Sequence, residues 1–372
     1  MNDIFPENTV GFVTGRDSLT IGFEPLELWN RLYQFSRMDT ELARQAFELG
    51  KDSRDWKVVN AQNDIKTSGP QKGLIKNVAY RPLDYRFTYY TGNSRGLYSS
   101  PQNAIMQHML KENIGLAVGR QGQVVGDEHL WNLAIITNNI VDFNLFYRGG
   151  ELLFPLYLYP SADDKKKKTG LQSMILFEPE PEYDTAGKKP NIALKIFGML
   201  EIAYKRKPTP EQILYYCYAV LYSNTYREKY AEFLKIDFPR IPFTSDYKLF
   251  LQLAELGEGL AQLHLLKAKT LNKPIVKYKG NGEDLIEKPR YDEDNTRVFI
   301  NDKKHFDGIT PEAWNYHIGG YQVLEKYLKD RKGRQMTDPA TYCKIASAIA
   351  ATIEIQKKLV RLFEKVEENI ID

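Results

Sequence analysis

The sequence predicts an α+β fold in two parts. Residues 1–200 read as a mixed, mostly antiparallel β module with a helical lead-in, and residues 201–372 as a largely helical module with long, spacer-like helices. Two observations carry this. Short β-prone segments separated by turn residues run from about Gly73 to Pro160. Beyond Lys205, apolar residues recur at helical spacing instead.

Gly11–Asp17 is glycine-bounded and reads as a short strand or turn, and Leu26–Gly50 as a helix ending on glycine. Ile75–Tyr80 alternates, Phe87–Tyr90 is aromatic and β-prone, and Thr91-Gly92-Asn93 marks a turn. Ile114–Val118, Leu133–Ile136 and Phe154–Tyr159 continue the strands, with one short helix near Gln102–Glu112. The polar stretch from Ser161 to about Pro190, broken by the apolar run Met174–Phe177, reads as a linker or exposed insertion. Thr209-Pro210-Glu211-Gln212 is a helix start: Thr209 can cap, Pro210 suits the first helical position, and Gln212 can close a capping box. Ile213, Cys217 and Val220 follow on one face, and Pro239 and Pro242 end the region. Leu249, Leu253, Leu256, Leu260 and Leu263 form a stripe in which Gly257 and Gly259 argue for a break. Ile275–Tyr278 and Arg297–Asn301 read as a short strand pair. Ile345, Ala348, Thr352, Ile355, Leu359, Leu362 and Val366 form a longer seam. Two such stripes predict helices packed lengthwise on each other or on a partner.

A net charge of +3 over 372 residues excludes a polycation, so any nucleic-acid footprint must come from local clustering. The 24 tyrosines and 18 phenylalanines fit β-rich cores, or surfaces that use a ring with a polar tip. Cys217 and Cys343 lie far apart in apolar helical patterns, which excludes a disulfide framework and fits a reduced, cytoplasmic compartment. The start Met1-Asn2-Asp3-Ile4 lacks the charge and apolar run of a secretion signal, and no apolar stretch is long enough to span a membrane.

Catalytic signatures are missing. The sequence holds no glycine-rich triphosphate loop and no dinucleotide fingerprint. Asp338-Pro339-Ala340-Thr341 is the nearest approach to an amino-methyltransferase element, and it lacks the aromatic residue. His108, His129, His264, His305 and His317 show no metal-ligand spacing. Asp163-Asp164 beside Lys166 resembles a nuclease grouping faintly, and a solvated charge run is the better reading. No cofactor is expected. A stand-alone nuclease or methyltransferase, and a protein-interaction subunit, stay open as alternatives.

What the sequence does collect is basic and amide side chains around turns. Lys72, Lys76, Arg81, Arg86, Asn93, Arg95, Asn103, Arg120, Gln121 and Arg148 fall in the strand-rich block, and Arg16 precedes it. Tyr85, Tyr89, Tyr90 and Tyr98 are interleaved. An Arg fork matches guanine O6/N7 or a phosphate, and Asn or Gln matches adenine N6/N7. The competing reading pairs Arg81 and Arg86 with Asp84 or other carboxylates to fix local structure. A second cluster, Lys326, Lys329, Arg331, Lys332 and Arg334, gives the segment Tyr321–Arg334 a net +3 and suits phosphate contact at a helix end. A solvated helix terminus is its plainer explanation.

The run Tyr80-Arg81-Pro82-Leu83-Asp84-Tyr85-Arg86-Phe87-Thr88-Tyr89-Tyr90 resembles the Y-R-P-F-D-x-R-x-x-Y-Y signature of a known region, with Leu83 at the usual Phe position. That region is the C-terminal specificity segment of Type ISP restriction–modification enzymes and their fused Type II relatives. Met106–Leu110, Phe154–Tyr159, Tyr226–Tyr230, Phe238–Pro242, Leu263–Leu266, Ile318–Leu324 and Leu328–Arg334 resemble it too, in the family's order over nearly the whole chain. The resemblance implies target recognition on double-stranded DNA, alongside adenine methyltransferase, nuclease and motor modules that precede the segment in such enzymes. It does not transfer the bases read. Whether the chain is an excised domain, a truncated gene or a separate subunit stays open at this stage.

Overall fold

A computed structural model describes residues 1–120, 130–160 and 187–371. Four sequence-level readings lie outside these residues: Gln121, His129, the linker or insertion over 161–186, and the Asp163-Asp164-Lys166 grouping.

The first part opens with β1 (Thr9–Val10), α1 (Asp17–Thr20) and β2 (Ile21–Gly22). The helical lead-in then forms three helices, α2 (Pro25–Arg37), α3 (Thr40–Ala46) and α4 (Val58–Thr67). The single helix expected over Leu26–Gly50 is thus divided at Met38. Asp39 accepts hydrogen bonds from the backbone N–H of Glu41 and Leu42, starting a new helix there. The alternating segment forms β3 (Ile75–Arg81), which turns through Pro82-Leu83 into β4 (Asp84–Tyr89). After α5 (Asn103–Met109) come β5 (Gly115–Val118), β6 (Ala134–Thr137), β7 (Ile140–Val141), β8 (Leu152–Pro155), β9 (Tyr157–Leu158) and β10 (Lys189–Pro190).

Two four-stranded sheets result, ordered β1-β8-β5-β6 and β2-β4-β3-β7. Pairing is antiparallel except for β3 with β7.

The second part holds α6 (Leu194–Tyr204), α7 (Pro210–Tyr222), α8 (Asn224–Lys229), α9 (Ala231–Ile236) and α10 (Tyr247–His264). The capping box forms at Thr209 and Gln212. Nine residues of α7 are buried, spread around the helix rather than along one stripe. It is therefore a central helix, apolar all round. Its polar tips still find partners: the Tyr218 hydroxyl accepts from the Ile136 N–H at 3.2 Å, and the Tyr222 hydroxyl donates to the Ala134 carbonyl at 3.0 Å. These bonds occupy the free edge of β6, an edge that would otherwise offer unpaired backbone groups.

The helix α10 is continuous through both glycines. A Cβ on Gly257 would lie 1.8 Å from the Tyr215 carbonyl oxygen, so glycine is what lets α10 approach α7 so closely. Next come β11 (Lys277–Lys279), β12 (Arg290–Asp292), β13 (Arg297–Phe299) and β14 (His305–Asp307). The expected pair is really two strands flanking β14, in the order β11-β14-β13-β12. After α11 (Pro311–Trp314), β15 (His317–Ile318), β16 (Tyr321–Gln322) and α12 (Val323–Lys329), the chain ends in α13 (Pro339–Glu367). Asp338 caps α13 and Pro339 is its first residue, a structural use for that dipeptide. The two striped helices, α10 and α13, pack on each other. Between them His264 bridges the Tyr218 hydroxyl at 2.5 Å and the Thr352 hydroxyl at 2.9 Å. One contiguous apolar core includes residues from Met1 to Val366, joining both parts.

Candidate nucleic-acid interface

The β3–β4 hairpin turns in two residues. Pro82 supplies its preset φ, and Leu83 takes a left-handed φ of +60°. That conformation is costly for a non-glycine residue and persists only where surrounding packing holds it. Leu83 is buried, which provides that hold. The turn aligns Arg81 with Asp84 across the hairpin.

Each arginine of the hairpin is then met by a carboxylate. Arg81 donates to Asp142 Oδ1 at 2.8 Å and to the Tyr80 carbonyl. Arg86 donates through Nε and Nη2 to Asp84 Oδ2 at 3.0 and 2.7 Å, and through Nη2 to Asp330 Oδ2 at 2.6 Å. The Tyr80 ring carries both guanidinium groups, 3.8 and 3.9 Å from its centroid. Its hydroxyl donates to Asp17 at 2.9 Å.

The C-terminal end of α12 closes the network from the other side. Arg331 donates to Asp84 Oδ1 at 2.6 Å, and Lys326 donates to Asp330 Oδ1 at 2.5 Å. Arg334 reaches Glu27 on α2 at 2.6 Å. Phe23 sits among three cations, with Arg86, Arg331 and Arg334 at 4.4, 4.9 and 4.5 Å from its ring centroid. Burial alone would raise the Asp84 carboxyl, but Arg331 and Arg86 outweigh it and hold the group below the ordinary carboxylate range. Beside this network opens a cleft of about 750 Å³, lined in part by Phe23, Tyr85, Tyr327, Arg331 and Arg334.

The Type ISP C-terminal specificity domain family matches residues 3–361. The chain belongs to this family. No curated protein matches it. Among solved structures it is similar to the DrdV–DNA complex seen by cryo-electron microscopy, at TM-score 0.68 and 20% identity over 96% of this chain and 36% of that one. It is also similar to the ATP-dependent Type ISP restriction–modification enzyme LlaBIII bound to DNA, at TM-score 0.66 and 19% identity over 96% of this chain and 23% of that one. A nuclease-deletion mutant of the Type ISP enzyme LlaGI with a DNA substrate mimic matches at TM-score 0.61 and 17% identity, over 96% and 33%. The specificity domain thus spans about a quarter to a third of the length of these chains.

Within the specificity domain the basic and amide residues singled out from the sequence are used in different ways. Arg81, Arg86 and Arg331 belong to the ion network; the first two are buried and the third half-buried. For Arg81 and Arg86 the geometry is the carboxylate pairing raised as the competing reading. Arg16 is also engaged, donating to the carbonyls of Gly15, Leu49 and Lys51 and lying over Trp56.

Asn93 and Arg334 are anchored yet reachable. Asn93 is exposed while its amide donates to Asp64 Oδ1 at 2.7 Å, and Arg334 is 41% exposed beyond its bond to Glu27. Lys72, Arg95, Arg120, Arg148, Lys329 and Lys332 are exposed. Arg120 lies over Phe238, Arg148 over Tyr147, and Lys329 pairs with Glu325 at 2.8 Å. Arg86 from the first cluster and Arg331 from the second, far apart in sequence, are joined through Asp84 and Asp330. Sequence reasoning missed Phe23, Glu27 and Asp142, and no local pattern marks them, since their partners lie on distant segments. No helix among the described residues is long and apolar enough to cross a membrane.

Proposed function

We propose that this chain reads a DNA sequence for a restriction–modification system and performs no chemistry itself. Adenine methyltransferase, nuclease and motor modules, fused to it or separate, act with it in the cytoplasm. One observation carries the reading beyond family membership. The signature hairpin and the basic end of α12 are locked together by Asp84, and the exposed cations Lys329 and Lys332 lie beside that lock.

In this reading the buried arginines are scaffold. Lys329, Lys332 and the exposed part of Arg334 meet phosphates, which position a protein without carrying sequence information. Asn93, Arg95, Arg120 and Arg148, on turns and loops of residues 1–200, are the candidates for base edges, with Lys72 beside them. Residues 201–372 brace the reader or dock a methyltransferase. The three similar structures, solved with DNA or a DNA substrate mimic, support DNA as the partner.

Competition binding against a library of duplex sites tests this directly. The expected result is a preferred sequence, with single alanine changes at Asn93, Arg95, Arg120 and Arg148 relaxing at least one base position. Equal affinity for every site in the library, with or without a cognate methyltransferase, refutes sequence reading. A saturable heat with S-adenosylmethionine, or magnesium-dependent nicking, refutes the non-catalytic part.

A further inference from the structure

Trp29 is set apart from the other tryptophans: Trp56, Trp131 and Trp314 are buried, whereas Trp29 is partly exposed on α2. It stacks on Tyr33 one helical turn further on, at 5.9 Å between centroids and 27° between planes. Leu26 and Tyr33, at 60% and 40% exposure, continue the same strip of α2.

The strip is bordered by cations. Lys72 lies 5.9 Å from the Trp29 ring centroid and Arg37 lies 5.2 Å from that of Tyr33. Lys66 and Arg37 line a hollow next to Tyr33. The nearby Glu27 is already committed to Arg334.

Between the start of α2 and the β3–β4 hairpin lies a hollow of about 360 Å³, lined by Leu26, Trp29, Lys72, Ile75, Asn77 and Phe87 among others. This is within the size range of small-ligand sites, which combine apolar walls with a few polar groups. Its polar groups are the Lys72 ammonium and the Asn77 carboxamide. Both residues are exposed, and the Asn77 side chain has no hydrogen-bond partner among the described residues. Phe87 lines this hollow and also the larger cleft that holds Arg331 and Arg334. The two openings therefore adjoin.

A ligand that satisfies all of this is flat and aromatic, with a hydrogen-bonding edge and an anionic attachment. We propose that the Trp29–Lys72–Asn77 hollow binds an unstacked nucleobase of DNA. The base lies against Trp29, its backbone phosphate meets Lys72, and Asn77 pairs with its edge in the donor–acceptor manner that suits adenine. An apolar protein segment would use the same walls but not the border of Lys72, Arg37 and Lys66. This inference rests on the DNA-recognition reading above, since it needs a duplex held along the neighbouring cleft.

The test uses the full chain, a short labelled duplex, and the same duplex carrying one unpaired adenosine. Wild-type protein is expected to prefer the bulged duplex, which is expected to quench Trp29 fluorescence where the perfect duplex does not. Trp29→Ala is expected to lose roughly 5- to 150-fold in affinity for the bulged duplex, the range for removing one stacked base, with the perfect duplex unaffected. Because Trp29 also packs against the core, Asn77→Ala at an exposed position serves as a second variant, with the same selective loss expected. Equal binding of the two duplexes, unchanged in both variants, overturns the base pocket and leaves duplex recognition standing. Failure to bind either duplex at low salt overturns both.

Discussion

Arg331 donates to Asp84 at 2.6 Å although 247 residues separate them. Asp84 is the hinge of the network: one carboxylate oxygen serves Arg331 and the other serves Arg86. With Asp330 and the partly exposed Lys326 added, charges from the signature hairpin and from the end of α12 satisfy one another. A network of that kind holds two segments in a fixed relation as long as each member keeps its partner.

Removing the hinge should therefore cost stability rather than binding preference. Asp84→Asn leaves the largely buried Arg331 guanidinium without its carboxylate and Arg86 with Asp330 alone, and breaking a buried pair in this way costs about 3–5 kcal/mol. Urea unfolding is the measurement. A midpoint unchanged from wild type would mean that the pairing contributes little to the fold.

His264 predicts a pH dependence of its own. Burial first, and the nearby Arg227 second, lower its pKa from the ordinary imidazole value to about 3. Between that value and the unfolded pKa near 6.5 the unfolded chain binds the extra proton. Stability is thus fully present above pH about 6.5 and is lost as pH falls toward 3, by about 1.4 kcal/mol per pH unit within the window. Unfolding free energies at a series of pH values should show a slope that flattens by up to one proton in His264→Gln. An identical slope in the variant would rule out this assignment.

The two glycines of α10 should respond in opposite directions to the same change. At Gly257 an added methyl meets the Tyr215 carbonyl oxygen at 1.8 Å, so alanine must force α7 and α10 apart. Overpacking of this sort typically costs about 1–3 kcal/mol. At Gly259 the methyl would sit 3.6 Å from Ile355 Cδ1, an ordinary contact, and alanine gains up to about 1 kcal/mol of helix propensity. Thermal melts of the two single variants decide this, and a shift of the same sign in both would contradict the packing described.

Duplex binding should be steeply salt-dependent, and Lys332 is the cleanest probe of that dependence. It is exposed, and no ion pair involves it among the described residues. Lys332→Ala is expected to weaken binding to all sequences alike and to flatten the log–log salt slope by about 1. Arg95→Ala, Arg120→Ala or Arg148→Ala, if the residue meets a base, should instead cost about 1–3 kcal/mol on the preferred site alone. A salt titration of each variant against preferred and scrambled duplexes separates the two behaviours. A sequence-selective loss in Lys332→Ala would reverse the division of labour.

Much of this protein was legible locally. The capping box at Thr209 and Gln212, the α10 and α13 stripes and the hairpin strands depend on residues within a few positions of each other, so spacing alone reveals them. Family membership was legible for a similar reason, because the hairpin signature is a contiguous run. The expected break in α10 and the unbroken helix over Leu26–Gly50 failed where a distant or unseen constraint took precedence. Gly257 answers to Tyr215 on another helix, and Asp39 caps where periodicity alone would continue. Nor could sequence tell which arginines face solvent. Arg86 and Arg95 look alike in a row of letters, yet one is enclosed by Asp84, Asp330, Tyr80 and Phe23 and the other is exposed. Charge composition sets what a surface can attract, but the long-range pairing of carboxylates with cations decides which charges are spent inside the fold. That pairing exists only once the hairpin and α12 have met.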